Sequence, residues 1–129
     1  MTASQDKLIA FNPGEDVEQR RGLRAALSSC ELLLKATGNP ELPLQQIQIL
    51  LAVALRGEVP MAELQPVTGT TQASISRSVA RLGGGLSPAD RGYGLVEASE
   101  DPWHRRRKLV RLSAKGKHLF EMLLNGVRQ

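Results

Sequence analysis

Three consecutive arginines, Arg105, Arg106 and Arg107, stand between two short stretches that mix apolar and charged residues. Like charges crowded at one point repel, so such a cluster implies a partner of opposite sign. A guanidinium keeps its charge at any physiological pH and matches the planar fork of a carboxylate or phosphate. Some 25 residues upstream, Thr70, Gln72, Ala73, Ser74, Ser76, Arg77 and Arg81 supply a second group of small, polar and cationic side chains at helical spacing. Small side chains let a helix approach another surface closely. Hydroxyls, an amide and guanidinium groups can then reach base edges and phosphates, and a glutamine can pair adenine through two hydrogen bonds. Ser and Thr are mediocre helix formers, and a purely solvent-facing helix more often uses Glu, Lys and Ala. These ten residues are the candidate binding set, and the chemistry they fit is recognition of a polyanionic duplex.

The charge distribution points the same way. Residues 1–69 hold 6 Lys/Arg against 8 Asp/Glu, and residues 70–117 hold 10 against 4. The whole basic excess therefore falls on the segment that carries the ten candidates, which is an electrostatic footprint for phosphate. The competing reading is a solvated basic face with no partner.

Other chemistries find little support. The two histidines, His104 and His118, are far apart in sequence, and no carboxylate pair or nucleophile–base spacing stands out. No catalytic residue is assigned, and the chain is read as a non-enzyme. A single cysteine, Cys30, excludes an intramolecular disulfide and a multi-cysteine metal site, so no metal or cofactor is expected. Gly83-Gly84-Gly85 lacks the preceding strand and following lysine of a nucleotide-binding loop. The longest apolar run, from Ile47 to Leu55, contains Gln48 and is too short to cross a bilayer. With no charged-then-apolar leader at its start, a cytoplasmic, nucleoid-associated location and no membrane partner are expected.

The elements that must position the candidates follow from periodicity. The 129 residues suit one domain with a core that must be aliphatic, because aromatics are scarce. Residues 1–15 are polar and aperiodic, which predicts a flexible arm before a domain spanning 16–129. Asp16 has the position of a cap for a helix whose stripe is Leu23, Ala26, Leu27, Cys30, Leu33 and Leu34, ending at Gly38-Asn39-Pro40. Cys30 on that stripe is read as a buried small hydrophobe and not a redox sensor. Pro43 suits the first turn of a second helix reaching Arg56, apolar on most sides and hence largely covered. Residues 60–68 predict a short helix limited by Pro66, with Gly69 as the turn.

The next helix, 70–82, is predicted to dock through Thr71, Ile75, Ser78, Val79 and Leu82. Thr70, Ala73, Ser74, Arg77, Ala80 and Arg81 then point outward, with Ser76 on the flank. Residues 83–94 read as a flexible connection. Residues 95–98 and 108–112 read as two strands joined through Glu100-Asp101-Pro102-Trp103 and the arginines. Trp103 could stack on sugar or pack beneath the hairpin, and packing is the favoured expectation. Ser113 can cap a last helix whose apolar face holds Leu119, Phe120, Met122, Leu123 and Val127.

The expected fold is therefore mainly α with a small β-hairpin, a winged helix-turn-helix. On Gly69, Ala73-Ser74-Ile75-Ser76-Arg77, Leu82, Gly94-Leu95-Val96-Glu97, and then Asp101-Pro102, Arg105-Arg106, Val110, Leu112-Ser113 and Lys115-Gly116, the chain resembles the MarR family of transcriptional regulators. The resemblance covers roughly residues 44–120. It implies a sequence-specific regulator, a repressor in most readings, that binds palindromic double-stranded DNA as a homodimer. Helix 70–82 would lie in the major groove and the wing, 99–108, in the minor groove. It also implies that Arg106 matches the groove arginine of a wing Asp-x-Arg unit, with His104 where the family has aspartate and Asp101 or Glu100 as substitutes. Pro66, the long glycine-rich connection and the short termini depart from the family pattern, and with so few aromatics the family's phenolic effector is not carried over. A compact domain of this kind also resembles those of phages and mobile elements. Two other functions fit the residues: a winged helix that binds and inhibits another protein, and a DNA-binding replication or excision factor.

Overall fold

The computed structural model describes residues 10–128, without the side chains of 127 and 128. The first nine residues of the expected arm lie outside the described residues. Residues 10–15 fold back on the first helix: the Gln19 side chain donates to the Ala10 carbonyl, and Arg20 donates to the carbonyls of Pro13 and Gly14.

Helix α1 spans Val17–Thr37, opened by Asp16, whose side chain accepts from the Gln19 amide, and closed by Gly38. Of its predicted apolar stripe only Leu33 is buried; Leu23, Leu27 and Leu34 are exposed. Cys30 is exposed as well, a correction to its expected burial. The stripe is real, but among the described residues nothing covers most of it.

Helix α2, Leu44–Arg56, starts one residue later than expected, with Pro43 as its cap residue and not inside its first turn. Ile49, Leu50 and Val53 are fully buried at the centre of the core, whereas Leu51 and Leu55 stay in solvent. The helix is thus covered on most sides, as expected, with one exposed stripe through Leu44, Leu51 and Leu55. Each such buried aliphatic contributes about 1.5–3 kcal/mol relative to exposure.

Strand β1, Glu58–Pro60, was not anticipated. A 3-10 turn, Met61–Leu64, then runs into α3, Gln65–Thr68, so Pro66 sits in the first turn of the α-helical part, where a missing amide costs nothing. Gly69 takes φ 69°, the left-handed conformation needed to turn the chain between α3 and the next helix. Helix α4 spans Gln72–Leu82. Strands β2, Val96–Glu100, and β3, Lys108–Leu112, form the hairpin, β2 lying one to two residues further along than expected. Helix α5, Ala114–Arg128, packs against α1 and contributes Leu119 and Leu123 to the core.

The sheet order is β1-β3-β2, antiparallel throughout. Val59 pairs with Val110 and Val96 with Leu112; β1 and β3 pack against α2, β2 packs against α4, and the buried residues of all of them share one core. Pro60 is tolerated because β1 is an edge strand. Among the described residues, no helix is long and apolar enough to cross a membrane.

Candidate nucleic-acid interface

The start of α4 is set by Thr71, whose hydroxyl accepts from the Ser74 amide. Helix 70–82 therefore begins at Gln72. Thr70 lies before the cap and is half-buried, and Thr71 is a cap residue, not part of the docked face. Ile75, Ser78, Val79 and Leu82 face inward as expected. The outward face is Ala73, Ser76 and Arg77, all exposed, continued by half-buried Ala80. Ser74 and Ser76 have exchanged the places assigned to them. The Gln45 amide donates to Ser74 Oγ at 3.1 Å and to Ser78 Oγ at 2.9 Å, and this contact turns Ser74 toward α2. The Gln72 amide also folds back, donating to Gln65 Oε1 at 3.0 Å.

Residues 83–94 form a built loop, a correction to the flexible connection expected. The amides of Tyr93, Gly94 and Leu95 donate to the carbonyls of Arg81, Gly83 and Leu82, which extends the end of α4 toward β2. Arg81 pairs with Asp90 through both terminal guanidinium nitrogens, Nη1 donating to Oδ1 and Nη2 to Oδ2, the latter at 2.8 Å. That hydrogen bond raises the Arg81 pKa above its ordinary value, with desolvation opposing it. Arg81 is thereby committed to the connector.

The wing loop proper is 101–107, narrower than the 99–108 expected. Its amides close on themselves: Asp101 N donates to Arg107 O at 2.8 Å, and Arg107 N to His104 O at 2.8 Å. Asp101 is buried and takes the Trp103 amide on Oδ1 at 2.9 Å. Its other carboxylate oxygen lies 3.7 Å from Arg107 Nε. Glu63, in the 3-10 turn, reaches Arg107 at 3.4 Å and Arg56 at 2.8 Å. Asp101 therefore does hold a wing arginine, but the partner is Arg107 and not Arg106. Trp103 projects from the tip fully in solvent, contrary to the expected packing beneath the hairpin. Arg105, Arg106 and His104 are exposed beside it.

The cations thus fall into two sets. Arg81, Arg107 and Arg111 are paired with Asp90, Glu63 and Glu97, and Lys115 donates to the Tyr93 carbonyl. Arg77, Arg105 and Arg106 have no ion pair among the described residues. Between α4 and the hairpin lies a cleft of ≈ 660 Å³, lined by Ser76 and Ala80 on one wall and by Val96, Ala98 and Lys108 on the other. The outward side of α4 and the hairpin therefore border one concavity. Lys108 and Glu63 were not singled out as parts of this surface. Lys108 could have been found from its place at the base of the wing, but Glu63 reaches Arg107 across 44 residues.

A helix pair joined by a glycine turn, followed by a basic hairpin packed against the second helix, defines a winged helix-turn-helix. No family model and no curated protein matches the sequence. Solved structures do. A probable transcriptional regulator from Pseudomonas aeruginosa aligns at 26% identity over 91% of this chain and 80% of its own, with a TM-score of 0.53. BpsR of Bordetella bronchiseptica, a protein whose DNA binding is regulated by 6-hydroxynicotinic acid, aligns at 23% identity over 94% of this chain and 80% of its own, TM-score 0.52. A mutant MarR from E. coli complexed with operator DNA aligns at 20% identity over 93% of this chain and 79% of its own, TM-score 0.54. The structural neighbours are consistently MarR-family transcriptional regulators, and this chain has their fold.

Proposed function

We propose that the chain is a sequence-specific DNA-binding transcriptional regulator that represses by occupying a palindromic site as a homodimer. The observation that carries this reading is the sorting of the cations. Arg81, Arg107 and Arg111 are paired with carboxylates, while Arg77 on α4 and Arg105 and Arg106 on the wing are exposed and carry no ion pair among the described residues, which leaves them to meet an external anion. In this reading α4 enters the major groove, where its small outward side chains, Ala73 and Ser76, permit close approach and Arg77 reaches a base edge or phosphate. The wing tip lies in the flanking minor groove, whose negative potential deepens as it narrows and favours inserted arginine. Thr70, Gln72 and Ser74 stand near the start of α4 as hydrogen-bonding groups, with Gln72 released from Gln65 on contact. Arg81 and Arg107 hold the connector and the wing in shape and contribute to the field around them.

The exposed apolar positions of α1 and α5, Leu23, Leu27, Met122 and Leu124, support a second copy as the partner of that face. A two-fold dimer would place the two copies of α4 about one helical turn apart on DNA, roughly 34–36 Å. The test is selection of duplexes from a random pool, followed by binding of Arg77→Ala and Arg106→Ala chains to the winning sequence. Loss of binding in both supports the reading. Retained function in both would point to a protein partner instead.

A further inference from the structure

Among the described residues, Trp103 is the most exposed of the large hydrophobic side chains, at 88%. A tryptophan can bury roughly 150–250 Å² when it packs, so an indole left in water forfeits the largest apolar gain of any side chain. Here the exposure is built and not incidental. The Trp103 amide is held by Asp101 Oδ1 at 2.9 Å, the His104 amide by the Asp101 carbonyl at 3.2 Å, and Asp101 is itself buried and paired with Arg107. The buried carboxylate thus fixes the turn that points the indole outward, next to Arg105 and Arg106.

We propose that Trp103 is the wing's apolar contact with DNA, its indole entering the minor groove beside Arg106 and packing on the deoxyribose walls. The proposal rests on the DNA-binding reading above and adds to it a residue that carries no charge. Minor-groove proteins combine cationic side chains with apolar ones that press on or between base steps, because the groove floor and sugar walls are less polar than its phosphate rim. The surroundings favour this occupant over a protein surface. Asp101, two residues before Trp103, is buried and paired, while Arg105 and Arg106 just after it are exposed and carry no ion pair among the described residues. Fit of a rigid ring between the groove walls would make binding depend on groove width, a form of shape readout.

Trp103 is the chain's single tryptophan, so its intrinsic emission reports this one site. The probe is a labelled duplex enriched by the full chain from a random pool, with binding followed separately by anisotropy of the label. Tryptophan emission should be quenched or shifted in step with saturation. Trp103→Ala should weaken binding about tenfold, with an unchanged salt slope because no charge is removed, and Trp103→Phe should recover most of the loss. A duplex that binds with no change in emission, or a Trp103→Ala chain that binds as tightly as the parent, overturns the proposal and leaves the DNA reading standing. Failure of the parent chain to bind any selected duplex removes both.

Discussion

Arg77, Arg105 and Arg106 carry the same charge as Arg81, Arg107 and Arg111, and what separates the two sets is the carboxylate each folds against. Charge is legible in a sequence, but pairing is not. Arg81 meets Asp90 nine residues on, and Arg107 meets Glu63 across 44 residues. Neither separation has a helical or hairpin period that could announce it. The same limit applies to Ser74, which Gln45 claims from 29 residues away, and to Cys30, whose stripe was seen while its cover was only assumed. The two sets should respond differently to truncation. Arg77→Ala and Arg106→Ala should each cost about 1–3 kcal/mol of DNA binding with little change in folding stability. Arg81→Ala should lower the thermal midpoint and leave the salt dependence of binding nearly unchanged. Parallel melting and binding titrations check both.

At the scale of elements, the helices and the hairpin were readable because their signals are local. Asp16 and Gly38 bound α1 by capping, and β3 alternates inward Val110 with outward Arg111. Strand β1 was not readable. Its three residues include a proline, and its partner β3 lies some fifty positions further on, so no local pattern marks it. The connector was misread for a related reason: glycines look flexible in sequence, but the carbonyls of Arg81, Leu82 and Gly83 accept the amides that follow them and turn the segment into an extension of α4. Two substitutions test the element junctions. Thr71→Ala removes the cap of α4 and should cost about 1 kcal/mol in urea unfolding. Gly116→Ala places a Cβ 2.1 Å from the Leu95 carbonyl oxygen, where α5 crosses the start of the hairpin. The clash is with backbone, so relief requires α5 to move, and a loss at or above about 1–3 kcal/mol is expected in the same unfolding measurement.

At the scale of the whole molecule, α4 and the wing carry the unpaired arginines Arg77, Arg105 and Arg106, and α1 and α5 carry exposed apolar side chains. Arg77 on α4 and Arg105 and Arg106 on the wing tip belong to the two elements that border the common cleft, and they supply part of the basic excess of residues 70–117. The apolar positions on α1 and α5 are what a second copy would cover, and the DNA reading needs two copies for a palindromic site. Leu27, 60% exposed, is therefore a suitable probe: Leu27→Glu should convert a dimer to a monomer in sedimentation velocity without unfolding it. Unchanged mass would place the interface elsewhere. The central claim, that unpaired arginines on α4 and the wing grip a duplex together, is tested most directly by titrating salt against binding to the selected duplex. Each neutralised phosphate contributes a slope of about −0.9 in log K against log salt, so Arg77, Arg105 and Arg106 from two subunits predict a slope of about −5. A slope near zero would contradict the account.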